Sequence, residues 1–411
     1  MDLAEITPVC IEANLAIRNL KSWMKSKGAW PSLLIGVGTR SEVQYVPRGR
    51  VLIIGPFNYP INLLLGPLIS AVAAGNAVIL KPSELTPNIS ALIALIIRQV
   101  FKEDEVAIFQ GEADVATALL ALPFDHIFFT GSPAVGKIVM TAAAKHLSSV
   151  TLELGGKSPT IIDSSANIKL AAQNVVFGKF ANSGQTCIAP DYVFVQEIVK
   201  AAFVEELGKE IARAYGESID DQRTCPGLAH MVNQRHYVRV KALLDDATAL
   251  GAQALFGGGG DASDDFIQPT VLDNIPVNAK IMEEEIFGPL LPIFTFSSLD
   301  DVISKINSGP KPLAIYLYSH TSANVKKVLS HTASGGACIN GSLVQFLHGN
   351  LPFGGIGNSG QGNAHGLYGF KAFSHERAVV HIKLSLLTAL FKGGAMPKWQ
   401  RSAFQAGFKW V

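Results

Sequence analysis

The clearest pattern in the chain begins at Val51, where short apolar runs alternate with longer amphipathic stretches. The runs 51–55, 77–80, 106–109 and 126–130 read as strands. Each is followed by a segment of helical period, at 61–74, 87–101, 113–122 and 133–146. Uninterrupted apolar strands are expected where helices cover both faces of a parallel sheet, and the repetition predicts a doubly wound α/β unit. A second alternating block spans about 159–343, with strands at 159–162 and 192–196 and a helix over 197–215. Ahead of both, residues 1–25 read as a helix carrying Ile11, Leu15, Ile17, Leu20 and Trp23, and 30–48 as extended segments. Residues 352–366, rich in glycine, read as a long connection packed near the candidate site, and Ala378 to Ile382 as an edge strand. Residues 61–80 carry no charge, but Gly66-Pro67 and Gly75-Asn76 break them, so they read as a helix, a turn and a strand; a membrane span needs about 20 continuous apolar residues.

With 411 residues, 48% of them hydrophobic, the chain can fill two or three sizeable cores. A net charge of +1 argues against a nucleic-acid-binding protein. Cys10, Cys187, Cys225 and Cys338 are scattered, with neither CxxC spacing nor a His cluster. No metal site or disulfide framework is expected, and a reducing, cytoplasmic compartment fits best. The tail 383–411 interleaves Lys and Arg with Phe and Trp. It reads as a helix docked on its own domain or on a partner, with contact to a membrane surface as the alternative.

Four stretches carry candidate chemistry. Phe180-Ala181-Asn182-Ser183-Gly184-Gln185-Thr186-Cys187 places a thiol at a Gly-containing helix–strand junction. Gly55-Pro56-Phe57-Asn58-Tyr59-Pro60 puts an amide in a turn, and Thr151-Leu152-Glu153-Leu154-Gly155-Gly156-Lys157 sets a carboxylate among apolar neighbours. Burial there would raise the Glu153 pKa towards that of a base useful at neutral pH, unless Glu153 pairs with backbone or with Lys157. The fourth stretch is Glu283-Glu284-Glu285-Ile286-Phe287-Gly288-Pro289. In addition, Gly131-Ser132-Pro133 opens a helix directly after a strand, where backbone N–H groups and the helix dipole favour phosphate. Its glycine spacing is not the dinucleotide fingerprint. Lys81 and Glu84 form a charged pair at the end of another strand.

Taken together, over about Val46 to Val380, these motifs resemble the aldehyde dehydrogenase superfamily, in particular its class 3 branch of fatty and aromatic aldehyde dehydrogenases. The resemblance implies an aldehyde dehydrogenase-like α/β fold of two doubly wound domains with a small oligomerisation segment. An NAD(P)-binding domain would comprise 1–25 and 48–154, with 345–375 returning near it. A catalytic domain would span 155–344, and 26–47 with 376–411 would bridge subunits of a homodimer. The family carries a longer helical region ahead of the first helix than this sequence shows. By resemblance, Cys187 is the nucleophile, Asn58 and the Cys187 N–H hold the oxyanion, and Glu153 activates the hydrolytic water. Lys81 and Glu84 would hold the adenine ribose, Gly131 and Ser132 the pyrophosphate, Glu285 and Phe287 the nicotinamide riboside. Pro133 stands where relatives often have Thr. NAD is the expected cofactor, with NADP open. The expected reaction is oxidation of an apolar aldehyde to its acid. Reduction of an acyl phosphate or acyl-CoA on the same fold, or a cofactor-binding protein without turnover, are the competing expectations. A cysteine hydrolase lacks a recognisable partner His. Phe177 and Phe180 are candidates either for an apolar entrance or for the core, and residues 344–348 for a second wall.

Overall fold

The computed structural model describes residues 2–30, 39–382, 398 and 402. The tail 383–411, apart from Lys398 and Ser402, therefore lies outside the described residues, as does the segment 31–38. Two sheets organise the rest. The first is ordered Gly360–Gln361, Ser149–Glu153, His126–Thr130, Arg50–Ile54, Ala77–Lys81, Val106–Ile108. The other five strands run parallel to one another, and only Gly360–Gln361 is antiparallel, on Ser149–Glu153. Chain order reverses between Arg50–Ile54 and His126–Thr130, and ligands of doubly wound sheets bind beyond the carboxyl ends at such a point. Alternate residues go to opposite faces. Val51, Ile53 and Phe128 enter one core, whereas Leu52, Ile54, Ile127 and Phe129 enter another. The apolar runs are therefore continuous because both faces are covered.

The second sheet is ordered Gln253–Phe256, Thr270–Asp273, Leu290–Phe296, Tyr192–Gln196, Pro159–Ile162, Ala314–Tyr318, Gly336–Ile339. It is parallel except for Gln253–Phe256. It too is packed on both faces, with Val193 and Val195 on one side and Tyr192 and Phe194 on the other. A three-stranded antiparallel sheet joins Lys27–Gly28, Thr39–Pro47 and Ser374–Ile382, the last at an open edge. Among the described residues no helix is long and apolar enough to cross a membrane. The uncharged stretch 61–80 forms the helix Asn62–Ala73 and most of the strand Ala77–Lys81, separated by Gly75 at φ +87°.

Three details depart from the sequence pattern. The first helix, Thr7–Trp23, buries Glu12 and Ala16, while Ile11 and Ile17 are exposed. Glu12 goes inward because it accepts from the Gly366 N–H at 2.7 Å and from Ser70 at 3.4 Å. The glycine-rich stretch is no simple connection, since its Gly360 pairs in register with Glu153. Phe180 is wholly buried, edge-on to Tyr215, whereas Phe177 is 58% exposed, so neither lines the cavity described below.

Candidate active site

The helix Ile168–Phe180 starts at Asn167, whose side chain accepts from the Leu170 N–H at 3.1 Å. After it, Asn182 (φ 51°), Ser183 (φ 51°) and Gly184 (φ 73°) are all left-handed. Such a run costs L-residues about 1–2 kcal/mol each and survives only when its surroundings fix it. Here the Ser183 hydroxyl bonds the Ala229 carbonyl. The Gln185 amide donates to the carbonyls of Asn182 and His230, both at 3.1 Å, and accepts from the Val232 N–H at 3.0 Å. At Gly184 a Cβ would stand 2.3 Å from the Gly288 carbonyl oxygen. This clamped turn delivers Cys187 to the amino end of the strand Tyr192–Gln196.

The carboxyl ends of the first sheet meet that turn. Asn58 Nδ2 donates to the Gln185 carbonyl at 2.9 Å, and Asn182 Nδ2 donates to the Asn58 carbonyl at 2.9 Å. One of the two Asn58 amide hydrogens is thereby spoken for and the second is free to serve a ligand. Next to it, the Tyr59 hydroxyl lies 2.8 Å from Thr186 Oγ1. Glu153 is the last residue of its strand, 5% exposed, and neither carboxylate oxygen has a hydrogen-bond partner among the described residues. Burial pushes its carboxyl well above the ordinary range. Lys157 does not pair with it. That ammonium bonds Asp191 and the carbonyls of Ile281 and Glu284. Glu153 and Cys187 line one cavity, together with Ile11, Leu63, Phe346 and Leu347. Burial raises the Cys187 thiol first, then the nearby Glu285 and Glu153 carboxylates; its own N–H and that of Ile188 partly offset this. Polar groups in the lining include Glu12 and His365, the latter stacked on Phe353 at 5.3 Å. The enclosed volume is ≈ 50 Å³, room for a few waters or a short chain.

The residues named for a dinucleotide also sit at strand ends. Lys81, buried, pairs with Glu84 at 2.7 Å. Ser132 caps the helix Pro133–Ala144 and leaves that helix's positive end facing outward, with Val135 and Ile138 exposed on its surface. The Gly131 N–H donates to the Glu153 carbonyl at 3.0 Å, which ties this loop to the strand of the candidate base. Glu285 packs so closely on Gly155 that a Cβ there would meet its carboxylate at 1.9 Å. Burial, then the Asp191 charge, pushes Glu285 up to about 8. Phe287, at φ 45°, lies edge-on to Phe57 at 5.9 Å. A helix start, a buried lysine paired with an exposed glutamate and a carboxylate on a glycine bed suit a dinucleotide's phosphates and two riboses. Sequence reasoning missed Lys179, fully buried with an unbonded Nζ and pulled down to about 8 by burial, against the opposing charges of Asp191 and Glu285. In sequence it is an ordinary lysine at a helix end. Gln185 and Tyr59, which stitch the two sheets together, were missed as well. Only their adjacency to Cys187 and Asn58 could have flagged them.

Two doubly wound sheets thus bring Cys187 and the Glu153 carboxyl to one cavity, with the Asn58 side chain bonded to the loop that carries the thiol. Residues 12–379 match the Aldehyde dehydrogenase family, and the chain belongs to it. It is 50% identical over 363 residues to the putative aldehyde dehydrogenase AldX of Bacillus subtilis, covering 88% of this chain and 81% of that one. Over 366 residues it is 44% identical to the 4,4'-diaponeurosporen-aldehyde dehydrogenase of Staphylococcus aureus, covering 89% and 78%. Human aldehyde dehydrogenase family 3 member B1 is 44% identical over 378 residues, covering 91% and 79%. The substrate-bound structure of Staphylococcus aureus AldH superposes with a TM-score of 0.92 at 41% identity, covering 99% of this chain and 87% of that one. The chain is a class 3-like aldehyde dehydrogenase, an NAD(P)-dependent enzyme.

Proposed function

We propose that Cys187, Glu153 and Asn58 carry the reaction, and that the substrate is an apolar aldehyde. Cys187 sulfur adds to the carbonyl carbon as its proton leaves to a neighbouring base, and the C=O pair moves onto oxygen. The second Asn58 N–H and the Cys187 N–H hold that oxyanion; one donor of this kind is typically worth about 3–4 kcal/mol. When bound, a nicotinamide would accept the hydride that leaves the former carbonyl carbon as the oxyanion pair re-forms C=O, which leaves a thioester on Cys187; Lys81, Glu84, Gly131, Ser132, Glu285 and Phe287 would hold the dinucleotide. Glu153 then takes a proton from water, the new hydroxyl attacks the thioester carbon, the C–S bond breaks and Cys187 leaves as thiolate. The observation that carries this reading is Glu153 itself: a buried carboxyl without a partner, in the same cavity as the thiol. An enzyme passing its acyl group to CoA or phosphate would not need it.

The aliphatic and aromatic lining supports an apolar substrate, as do relatives named for a diaponeurosporenal and for family 3. NAD is the proposed preference, because the Glu84 carboxylate beside Lys81 disfavours a 2′-phosphate. A homodimer joined through the open edge of Ser374–Ile382, with exposed Val380 and Ile382, is part of the same reading. So is a cytoplasmic location, which four free cysteines suit. The test is NADH formation over aldehydes from acetaldehyde to long-chain and aromatic. Cys187→Ala abolishes turnover. Glu153→Gln gives a single burst of about one NADH per site and then a rate lowered about 10²–10⁴-fold. Steady turnover by Glu153→Gln, or turnover dependent on added CoA or phosphate, would replace this mechanism.

A further inference from the structure

The turn that presents Asn58 ends in the helix Asn62–Ala73, and this helix has no cap of its own. Its N-cap position is Ile61, in αR conformation, with no side-chain bond to the first turn. The first N–H groups of a helix have no partner within it, and one left unbonded inside a protein is costly. The partner comes from 57 residues upstream. Glu5, 7% exposed, accepts from the Asn62 N–H at 2.8 Å, and the Ile61 N–H also bonds it. In return, Asn62 Nδ2 donates to the Ala4 carbonyl at 3.2 Å. The exchange has the logic of a capping box, but between distant segments, and it sets a carboxylate at the positive end of the helix dipole.

We infer that Glu5 is a positioning residue for Asn58, fixing the near end of the oxyanion turn as Gln185 and Asn182 fix the far end. The inference rests on the reading of Asn58 as oxyanion donor. Three residues separate the Glu5 anchor at Asn62 from Asn58, and among them Tyr59 is held by Thr186. With the Glu5 bond lost, the turn keeps its contacts to the Cys187 loop but not to the helix, and the Asn58 amide loses its aim. Cofactor residues on the other strand ends keep theirs.

The test uses Glu5→Leu, which removes the acceptor, and Glu5→Gln, which keeps one acceptor oxygen without the charge. Both are made in the full chain, in wild-type and Asn58→Ala backgrounds. Single-turnover NADH formation and the Kd for NAD are measured, with the thermal midpoint alongside. Expected are a roughly tenfold slower single turnover for Glu5→Leu, part of the about 10²–10³ that one oxyanion donor supplies, a smaller loss for Glu5→Gln, and NAD affinity within about twofold of wild type. In the Asn58→Ala background both effects shrink below about twofold, the non-additivity of two groups acting through one contact. An equal loss in both backgrounds, or no loss in either, overturns the role of Glu5. A normal rate in Asn58→Ala alone overturns the oxyanion reading instead. Should Glu5→Leu fail to fold, Glu5→Gln carries the same comparison.

Discussion

Cys187 shares its cavity with Glu153 and lies near Glu285, so any charge it acquires meets two carboxylates as well as a covering of protein. All of these favour the neutral thiol. The sign follows directly: in the cofactor-free protein the thiolate fraction at pH 7–8 is below that of a free cysteine, and alkylation of Cys187 by iodoacetamide should be slow there and still rising beyond pH 9. Peptide mass spectrometry of Cys187 against Cys10, which is exposed, supplies the internal comparison. A Cys187 that alkylates faster than Cys10 at pH 7 would mean that the site ionises its thiol before any ligand arrives. Removing the Glu285 charge should speed the reaction, and Glu285→Gln is expected to raise the rate of Cys187 alkylation at pH 8 several-fold.

The loop that carries the thiol combines a left-handed backbone with hydrogen bonds that hold it on several sides. Gly184→Ala places a methyl group against the Gly288 carbonyl in a backbone at φ 73°. Strain of about 1–3 kcal/mol at this point should lower kcat at least tenfold. An unchanged kcat would show that the turn need not be left-handed. At this scale the sequence was an uneven guide. Strand–helix alternation was legible because both faces of each sheet are covered, and helix starts were legible where Pro133 or Pro87 stands at the first turn. The pairing of Gly360 with Glu153 was not, since a glycine-rich strand has no side-chain period to read. Nor was the inward turn of Glu5 and Glu12, because a charged residue on an amphipathic helix is normally placed outside. Phe177 and Phe180 show the same limit: helical spacing put them on one side, and the packing of Tyr215 decided that only Phe180 is covered.

In the whole molecule, the buried ionisable groups of the site should be visible in its stability. Glu153, Glu285 and Glu5 all have raised carboxyls, Glu285 at about 8 and Glu5 at about 7, chiefly because burial disfavours their charge. Between about pH 4.5 and 8 the folded protein therefore holds protons that the unfolded chain has released, and stability falls as pH rises across that window. Lys179 works in the next window. Its folded form is pulled down to about 8, so above that pH the unfolded chain holds the extra proton and stability begins to recover. Asp163 does not mask the effect: burial would raise it, but hydrogen bonds from Ser165, Ser319 and Asn324 outweigh this and hold it below 3.8, outside the window. Thermal midpoints of the cofactor-free enzyme should accordingly decline from about pH 6.5 to pH 8; below pH 6.5 the buried His126 and His365, held neutral by burial, oppose the slope because the unfolded chain binds their protons. Glu285→Gln should flatten the decline by an amount on the order of a few kcal/mol, and Glu153→Gln should flatten it as well. Midpoints that rise across this range, or a slope that neither variant changes, would mean that these carboxyls are solvated in solution, and Glu153 would then lack the raised pKa that fits it to act as a base near neutral pH.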